Sequence, residues 1–113
     1  MPQDYLPSGP FLSQRPDAGR FDALREDFLL GFAIRTARAY KADLEDFREW
    51  CVAKGVDPLA PLTADLDNYM GSVVARGYTN GTKRRRTAAL RGFFRHLVVT
   101  GKLESSPARR LPS

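Results

Sequence analysis

The sequence predicts an all-α fold, a bundle of four helices in a single domain. Four stretches carry apolar residues at the three- and four-residue spacing of a helix with one buried face, and no stretch alternates convincingly at the two-residue period of a half-exposed strand. Glycines and prolines, which end or loosen helices, separate these stretches. The chain has 113 residues, 42% of them hydrophobic, which is enough for one domain with a core.

The first two helices are predicted over about 21–31 and 35–53. Each carries an apolar stripe at helical spacing: Phe21, Leu24, Phe28, Leu29 and Phe32 in the first, and Tyr40, Leu44, Phe47, Trp50 and Cys51 in the second. Gly55 is a natural stop for the second helix, and the prolines at 58 and 61 prevent its continuation. We expect both stripes to form core rather than to bind a cofactor.

The last two helices are predicted to begin near Thr63 and near Thr79. Thr63 is the expected N-cap of the third helix, with Asp65 in its first turn, and Gly77 ends it. The fourth helix runs to Gly101. Their stripes complete the predicted core: Leu66, Tyr69, Met70, Val73 and Val74, and Ala89, Leu90, Phe93, Phe94, Leu97 and Val98.

The helical domain is predicted to span 21–104, between two segments without regular structure. Residues 1–20 contain four prolines and two glycines and are expected to form a flexible leader. Residues 105–113 are expected to be extended and to begin a linker.

Several functional classes are excluded by composition. No run reaches the roughly 18 apolar residues that a membrane span needs, and the first ten residues lack the pattern of a signal peptide. Cys51 is the only cysteine and His96 the only histidine, which argues against a disulfide or a zinc site. We therefore expect a cytoplasmic protein with no metal and no cofactor.

Positive charge is concentrated in the last third of the chain. Residues 1–78 carry nine Lys/Arg and twelve Asp/Glu, whereas residues 79–113 carry nine Lys/Arg and one Glu. Such asymmetry indicates a polyanionic partner, either nucleic acid or an anionic membrane. The alternative is a solvated basic tail without a partner.

Two helix starts place cations where the helix dipole disfavours them. The fourth helix carries Lys83, Arg84, Arg85 and Arg86 in its first turns, and the second begins with a weaker cluster of Arg35, Arg38 and Lys41. Places where local rules fail tend to be functional, and a phosphate backbone would compensate both clusters. The alternative is that these side chains only keep a surface soluble.

The fourth helix presents its basic residues on different sides. Lys83 and Arg86 are predicted near the core-facing side, and Arg84 and Arg85 outward. An outward face that also carries Asn80 and Thr82 could reach base edges in a major groove.

Two long stretches resemble a known family. They are "RTARAYKADLEDFREWCVAKG" and "LTADLDNYMGSVVARGYTNGTKRRRTAALRGFFRHLVVTGKLESSPARRL". The residues that match in order and spacing are Thr36, Tyr40, Phe47, Trp50, Cys51 and Gly55, followed by Ala89, Leu90, Arg91, Phe93, Phe94, Leu97, Gly101, Leu103, Pro107 and Ala108. Over about residues 22–111 the chain resembles the core-binding domain of tyrosine recombinases of the phage integrase and Xer/Cre type.

This resemblance implies a SAM-like bundle of four orthogonally packed helices that grips duplex DNA as one half of a clamp. The second and fourth helices would carry most DNA contacts. Together with the charge pattern, it gives the candidate DNA-binding residues: Arg35, Thr36, Arg38, Lys41, Asn80, Thr82, Lys83, Arg84, Arg85, Arg86 and Arg91.

The resemblance also implies that this chain is not itself an enzyme. Family chemistry needs an Arg, a Lys, an H-x-x-R motif and a tyrosine nucleophile on a separate domain, and His96 is not followed by such an Arg. The parent protein would cut and rejoin DNA, and its protomers would meet on a recombination site. The isolated domain is expected to be a monomer.

Two alternative functions stay open at this point. A helical protein-interaction adaptor would expose an apolar patch and ignore DNA. A basic amphipathic helix on a membrane surface is less consistent with Phe93 and Phe94, which are predicted to be core.

Overall fold

The computed structural model describes residues 15–111, with side chains described from residue 19, and within that range it is an all-α bundle. The helices are α1 (Arg15–Leu29), α2 (Ile34–Lys54), α3 (Thr63–Ala75) and α4 (Asn80–Val99). The prediction of four helices is confirmed, and residues 15–111 contain no strand. Residues 1–14, most of the predicted leader, lie outside the described part.

The first helix begins at Arg15, earlier than the predicted start at Phe21. Pro16 does not prevent this, because a proline in the first turn of a helix lacks only an N–H group that has no helical partner there. The proline and glycine between residues 15 and 20 therefore led to a predicted start of α1 that is six residues too late.

The predicted helix ends are close to those observed. Gly55 caps α2 in the left-handed conformation at φ 72°, where glycine is favoured, and its N–H donates to the carbonyl of Val52. Thr79 caps α4, and its Oγ1 accepts the N–H of Thr82 at 3.2 Å. The N-cap of α3, however, is Leu62, so the prediction of Thr63 is wrong by one residue.

Phe47 of α2 lies at the centre of the core and is fully buried. Its ring contacts Tyr69 of α3 with a centroid distance of 5.1 Å, Phe94 of α4 at 6.2 Å and Phe21 of α1 at 6.5 Å. One side chain therefore touches all three other helices. The prediction that the stripes form the core is confirmed for most of their residues, Phe28, Phe93 and Phe94 included, but Phe32 and Val74 are 37% and 54% exposed and lie outside it.

The segment after α4 turns back onto the bundle, so the prediction that residues 105–111 are extended is wrong. It consists of bends and turns, and its apolar residues Ala108 and Leu111 are buried. The carbonyl of Leu111 accepts a hydrogen bond from Arg91 of α4. Two apolar side chains three residues apart are enough to dock this short segment.

Replacement by alanine should have different effects on stability at two glycines within helices. A Cβ at Gly92 would lie 3.2 Å from the Phe28 ring, whereas a Cβ at Gly71 of α3 meets nothing within 4 Å. Because alanine stabilises a helix relative to glycine, Gly71→Ala should raise the free energy of unfolding by about 0.5–1 kcal/mol. Gly92→Ala should be at least about 1 kcal/mol less stable than Gly71→Ala in urea unfolding. Equal stability of the two variants would contradict the packing described here.

Candidate nucleic-acid interface

The start of α4 is exposed to solvent. Asn80, Gly81 and Arg84 are exposed, Lys83 is half-buried, and Thr82 is held by the cap that Thr79 provides. The first N–H groups of any helix lack helical partners and carry partial positive charge. This end of α4 is therefore a surface to which an anion would be attracted.

The basic run of α4 is divided between solvent and the protein interior. Among the side chains described from residue 19 to 111, Lys83 and Arg84 form no ion pair, whereas Arg85 and Arg86 both pair with carboxylates of α2. The predicted placement of Arg86 on the core side is confirmed. Arg85, predicted to point outward, instead binds across to α2.

Arg85 and Asp43 form a bidentate ion pair. Its Nε and Nη2 each donate to one carboxylate oxygen of Asp43, both at 2.8 Å. The Asp43 side chain is only 2% exposed, while that of Arg85 is 44% exposed. This hydrogen bonding raises the pKa of Arg85. A buried carboxylate thus receives its compensation from the first turns of α4.

Arg86 enters a second, linked cluster around Asp46. Its Nη1 donates to Asp46 and also lies 3.1 Å from the hydroxyl of Tyr69. Tyr69 donates to Asp46 Oδ2 at 2.7 Å, and Arg76 donates to both Asp46 oxygens at 2.8 and 2.9 Å. The Arg86 guanidinium also stacks over the Tyr78 ring, 4.4 Å from its centroid.

We call the carboxylates Asp43 and Asp46, with the residues that bind them (Arg76, Arg85, Arg86 and Tyr69), the carboxylate–arginine network. It joins α2, the end of α3 and the start of α4. The Arg76 hydrogen bonds are the main reason that the pKa of Asp46 falls from its ordinary 3.8 to about 2, and Tyr69 and Arg86 contribute. Asp46 is therefore ionised at neutral pH, as its partners require.

The start of α2 is also exposed and lacks a side-chain cap. Its N-cap is Ala33, whose side chain makes no hydrogen bond, and Arg35, Thr36 and Arg38 are exposed. Within the described residues Arg35 and Arg38 form no ion pair, whereas Lys41 lies 3.9 Å from Glu26 of α1. Arg35 and Arg38 are thus available to an external anion, and Lys41 faces α1.

The Arg85–Asp43 pair joins the first turns of α4 to α2 about two and a half turns after the start of α2. Thr36 lies two turns before Asp43 on the same stripe of α2, about 10 Å along the axis, and Thr82 lies one turn before Arg85 on α4. Thr36 and Thr82 therefore each lie within about two turns of the Arg85–Asp43 contact. Arg91 lies two turns further along α4 and binds the Leu111 carbonyl.

The network was not foreseen, although the sequence holds a signal for it. Asp43 falls beside the apolar stripe of Tyr40, Leu44 and Phe47, where a charged side chain needs a partner. The acidic run of α2 and the basic run of α4 are also complementary in sign. Pairing these two runs would have indicated that some of the α4 cations bind carboxylates of α2.

The nucleophilic groups of the core are not available for chemistry. Tyr69 is 1% exposed, and burial together with the hydrogen bond to Asp46 raises its hydroxyl pKa. Cys51 is fully buried, and burial raises its thiol pKa to about 12. Among the described residues no group of His, Cys, Asp and Glu is arranged to hold a metal ion, and no helix is both long and apolar enough to span a bilayer.

The comparison with protein families identifies the domain. The model of the phage integrase N-terminal SAM-like domain matches residues 31–101, well over half of the chain. The chain belongs to this family. The match includes α2, α3 and α4 in full, and so the whole carboxylate–arginine network of this SAM-like domain.

Curated relatives of this SAM-like domain are tyrosine recombinases. It is 30% identical over 77 residues to tyrosine recombinase XerD of Rhizobium meliloti, covering 68% of this chain and 25% of that protein. It is 34% identical over 77 residues to XerD of Brucella abortus, covering 68% of this chain and 25% of that protein. It is 32% identical over 82 residues to XerC of Chlorobaculum tepidum, covering 66% and 24%.

The chain thus spans about a quarter of the length of these relatives. The comparison with solved structures gave no match.

Two adjacent arginines should differ sharply in their effect on stability. Arg85→Ala removes the main partner of the buried Asp43 carboxylate and should lower the free energy of unfolding by about 2–3 kcal/mol. Arg84→Ala removes an exposed side chain and should change it by less than about 0.5 kcal/mol. Urea unfolding at neutral pH measures both. A loss for Arg84→Ala as large as that for Arg85→Ala would contradict the network.

Acid should weaken the network through Asp46. Its pKa is about 2 in the folded protein and ordinarily 3.8, so the unfolded chain binds a proton more readily between these values. The stabilisation is complete above about pH 4 and is lost as the pH falls through 2. Allowing for partial exposure, it amounts to about 1–2 kcal/mol.

Asp46→Asn, unfolded over the same pH range, provides the comparison for this effect. The stability difference between wild type and variant should shrink by that amount as the pH falls from 5 to 2. A difference that stays constant would show that Asp46 does not titrate in this way.

Proposed function

We propose that this domain binds duplex DNA through the starts of α2 and α4, as the DNA-gripping part of a tyrosine recombinase. The observation that carries the proposal is the pair of exposed helix starts, whose Arg35, Arg38 and Arg84 form no ion pair among the described residues, on two helices joined by the Arg85–Asp43 pair. Membership of the phage integrase SAM-like family and the similarity to XerC and XerD proteins support it.

The candidate residues fall into three roles in this proposal. Arg35, Arg38, Lys83 and Arg84 bind backbone phosphates, since they are unpaired among the described residues. Thr36, Asn80 and Thr82 lie at the two helix starts, where short polar side chains can reach base edges. Arg85 and Arg86 hold α4 in place, while Lys41 and Arg91 lie at the margins of the surface.

The domain contributes binding and positioning rather than chemistry. The Tyr69 hydroxyl of the network is buried and bonded to Asp46, so this tyrosine is not available as a nucleophile. In the parent recombinase a separate catalytic domain would cleave DNA through a phosphotyrosine, and protomers would assemble on the recombination site in the cytoplasm. The isolated domain would be a monomer forming one half of a DNA clamp.

A protein-interaction adaptor is the second candidate, and one observation favours it. Leu30, Phe32 and Ile34, at the connection between α1 and α2, are 83%, 37% and 72% exposed. This is the kind of apolar patch that an adaptor would use. The patch lies next to the cations at the start of α2. Because an adaptor would not bind DNA, a measurement of DNA binding distinguishes the two functions.

An amide NMR titration with a short duplex tests the proposal. At low salt, shift changes should include about 35–41 and 79–91, with a dissociation constant of roughly 10⁻⁴–10⁻⁶ M, and they should shrink as salt rises because phosphate contacts release counterions. Arg84→Ala should weaken binding about threefold to tenfold and reduce the salt slope by about one.

Lys54→Ala is the matched control, since it removes an exposed cation at the opposite end of α2. It should bind DNA as the wild type does. Absence of any shift at low salt, or equal weakening by both variants, would refute the proposal and leave the adaptor function in front.

A further inference from the structure

A cleft of about 450 Å³ lies between α4 and the segment that follows it. Its polar lining comprises three arginines, Arg91, Arg95 and Arg109, with the hydroxyls of Ser105 and Ser106 and one carboxylate, Glu104. The volume is in the range of ordinary ligand clefts. Of these residues, only Arg91 was a candidate from the sequence.

The cleft exists because the segment after α4 is docked. Arg91 and Arg95 are four residues apart and lie on the same face of the helix. Leu111 is buried and its carbonyl accepts a hydrogen bond from Arg91, while Ala108 is buried beside Arg109 in the chain. The docked segment therefore places Arg109 at the cleft, across from α4.

The charge of the cleft is not balanced within the described residues. Three arginines against one glutamate leave a formal charge of +2, and none of the four forms an ion pair with a described side chain. Arg85 and Arg86, earlier on the same helix, are each compensated by a carboxylate. Guanidinium groups gathered in this way repel one another unless an anion lies between them.

The donors match the chemistry of a phosphate group. Arginine binds phosphate oxygens through two parallel N–H donors, and serine hydroxyls add further donors. Ser106 Oγ accepts the N–H of Ala108 at 3.1 Å, which leaves its own hydroxyl proton free to donate. Arg95 and Arg109 are both exposed, so their guanidinium groups are accessible from solvent.

The cleft continues the proposed DNA surface along α4. Arg84, Arg91 and Arg95 lie on one stripe of the helix, and the stripe extends about 16 Å from the α4 start to the cleft. We propose that the cleft binds a second backbone phosphate of the same duplex, a few nucleotides from the phosphates at the helix start. This inference rests on the proposed function and adds a site to it.

Single variants in the full chain test the cleft by fluorescence anisotropy with a labelled duplex at several salt concentrations. Arg95→Ala and Arg109→Ala should each weaken binding about threefold to tenfold and each lower the salt slope by about one. Glu104→Gln removes the competing negative charge and should strengthen binding about twofold to threefold. All three side chains are exposed, so the variants should unfold thermally as the wild type does.

Lys102→Ala is the matched control, because it removes an exposed cation near the cleft that does not line it. If Arg95→Ala and Arg109→Ala bind like Lys102→Ala while Arg84→Ala is weakened, the cleft proposal is overturned and the proposed function stands. If no variant, Arg84→Ala included, differs from wild type, both fail.

Titration with inorganic pyrophosphate separates the two sources of phosphate. Shifts of the Ser105 and Ser106 amides by pyrophosphate but not by duplex would assign the cleft to a free phosphate compound and overturn the DNA assignment. Shifts by duplex that disappear in Arg109→Ala would support it.

Discussion

The two aspartates of α2 that face α4 are the constraint on which the rest of the arrangement depends. Asp43 is almost completely buried, and a buried carboxylate without a partner is strongly destabilising. Its partners come from the first turns of α4, and those of Asp46 come from α3 and α4. Replacing such pairs by apolar residues often costs little net stability, so their main effect is geometric. In this placement of α4 both carboxylates have an arginine partner.

This geometric role explains how one run of four basic residues serves two purposes. Because successive residues of a helix point about 100° apart, Arg85 and Arg86 face the bundle while Arg84 stays outside. The two arginines that are paired with aspartates fix where the helix start lies, and the exposed Arg84 presents charge from that position. Cations at the start of α4 oppose its dipole, but the carboxylates of α2 compensate two of them. The position of the proposed DNA surface thus depends on the ion pairs of Arg85 and Arg86 with the aspartates of α2.

Much of the fold could be predicted from the sequence, because apolar spacing and helix stops are local signals. The stripes through Phe47 and Phe94 and the stop at Gly55 all have this character. The errors lie where a local signal is misleading, as at Arg15, or where distant contacts decide, as in the docked segment around Leu111. The two helix starts that carry the candidate residues could also be predicted to within a few positions. Which of its cations are available could not be predicted, since that depends on ion pairs between residues some forty positions apart.

Trp50 stands at the edge of this network. It is the only tryptophan of the chain, and its ring contacts that of Tyr69 with a centroid distance of 5.6 Å. Tyr69 in turn donates its hydroxyl to Asp46. The emission of a single indole therefore senses the joint between α2 and α3, and energy transfer from Tyr69 to it depends on their separation. The molecule carries its own optical probe of the carboxylate–arginine network, one that can be followed in dilute solution without any label.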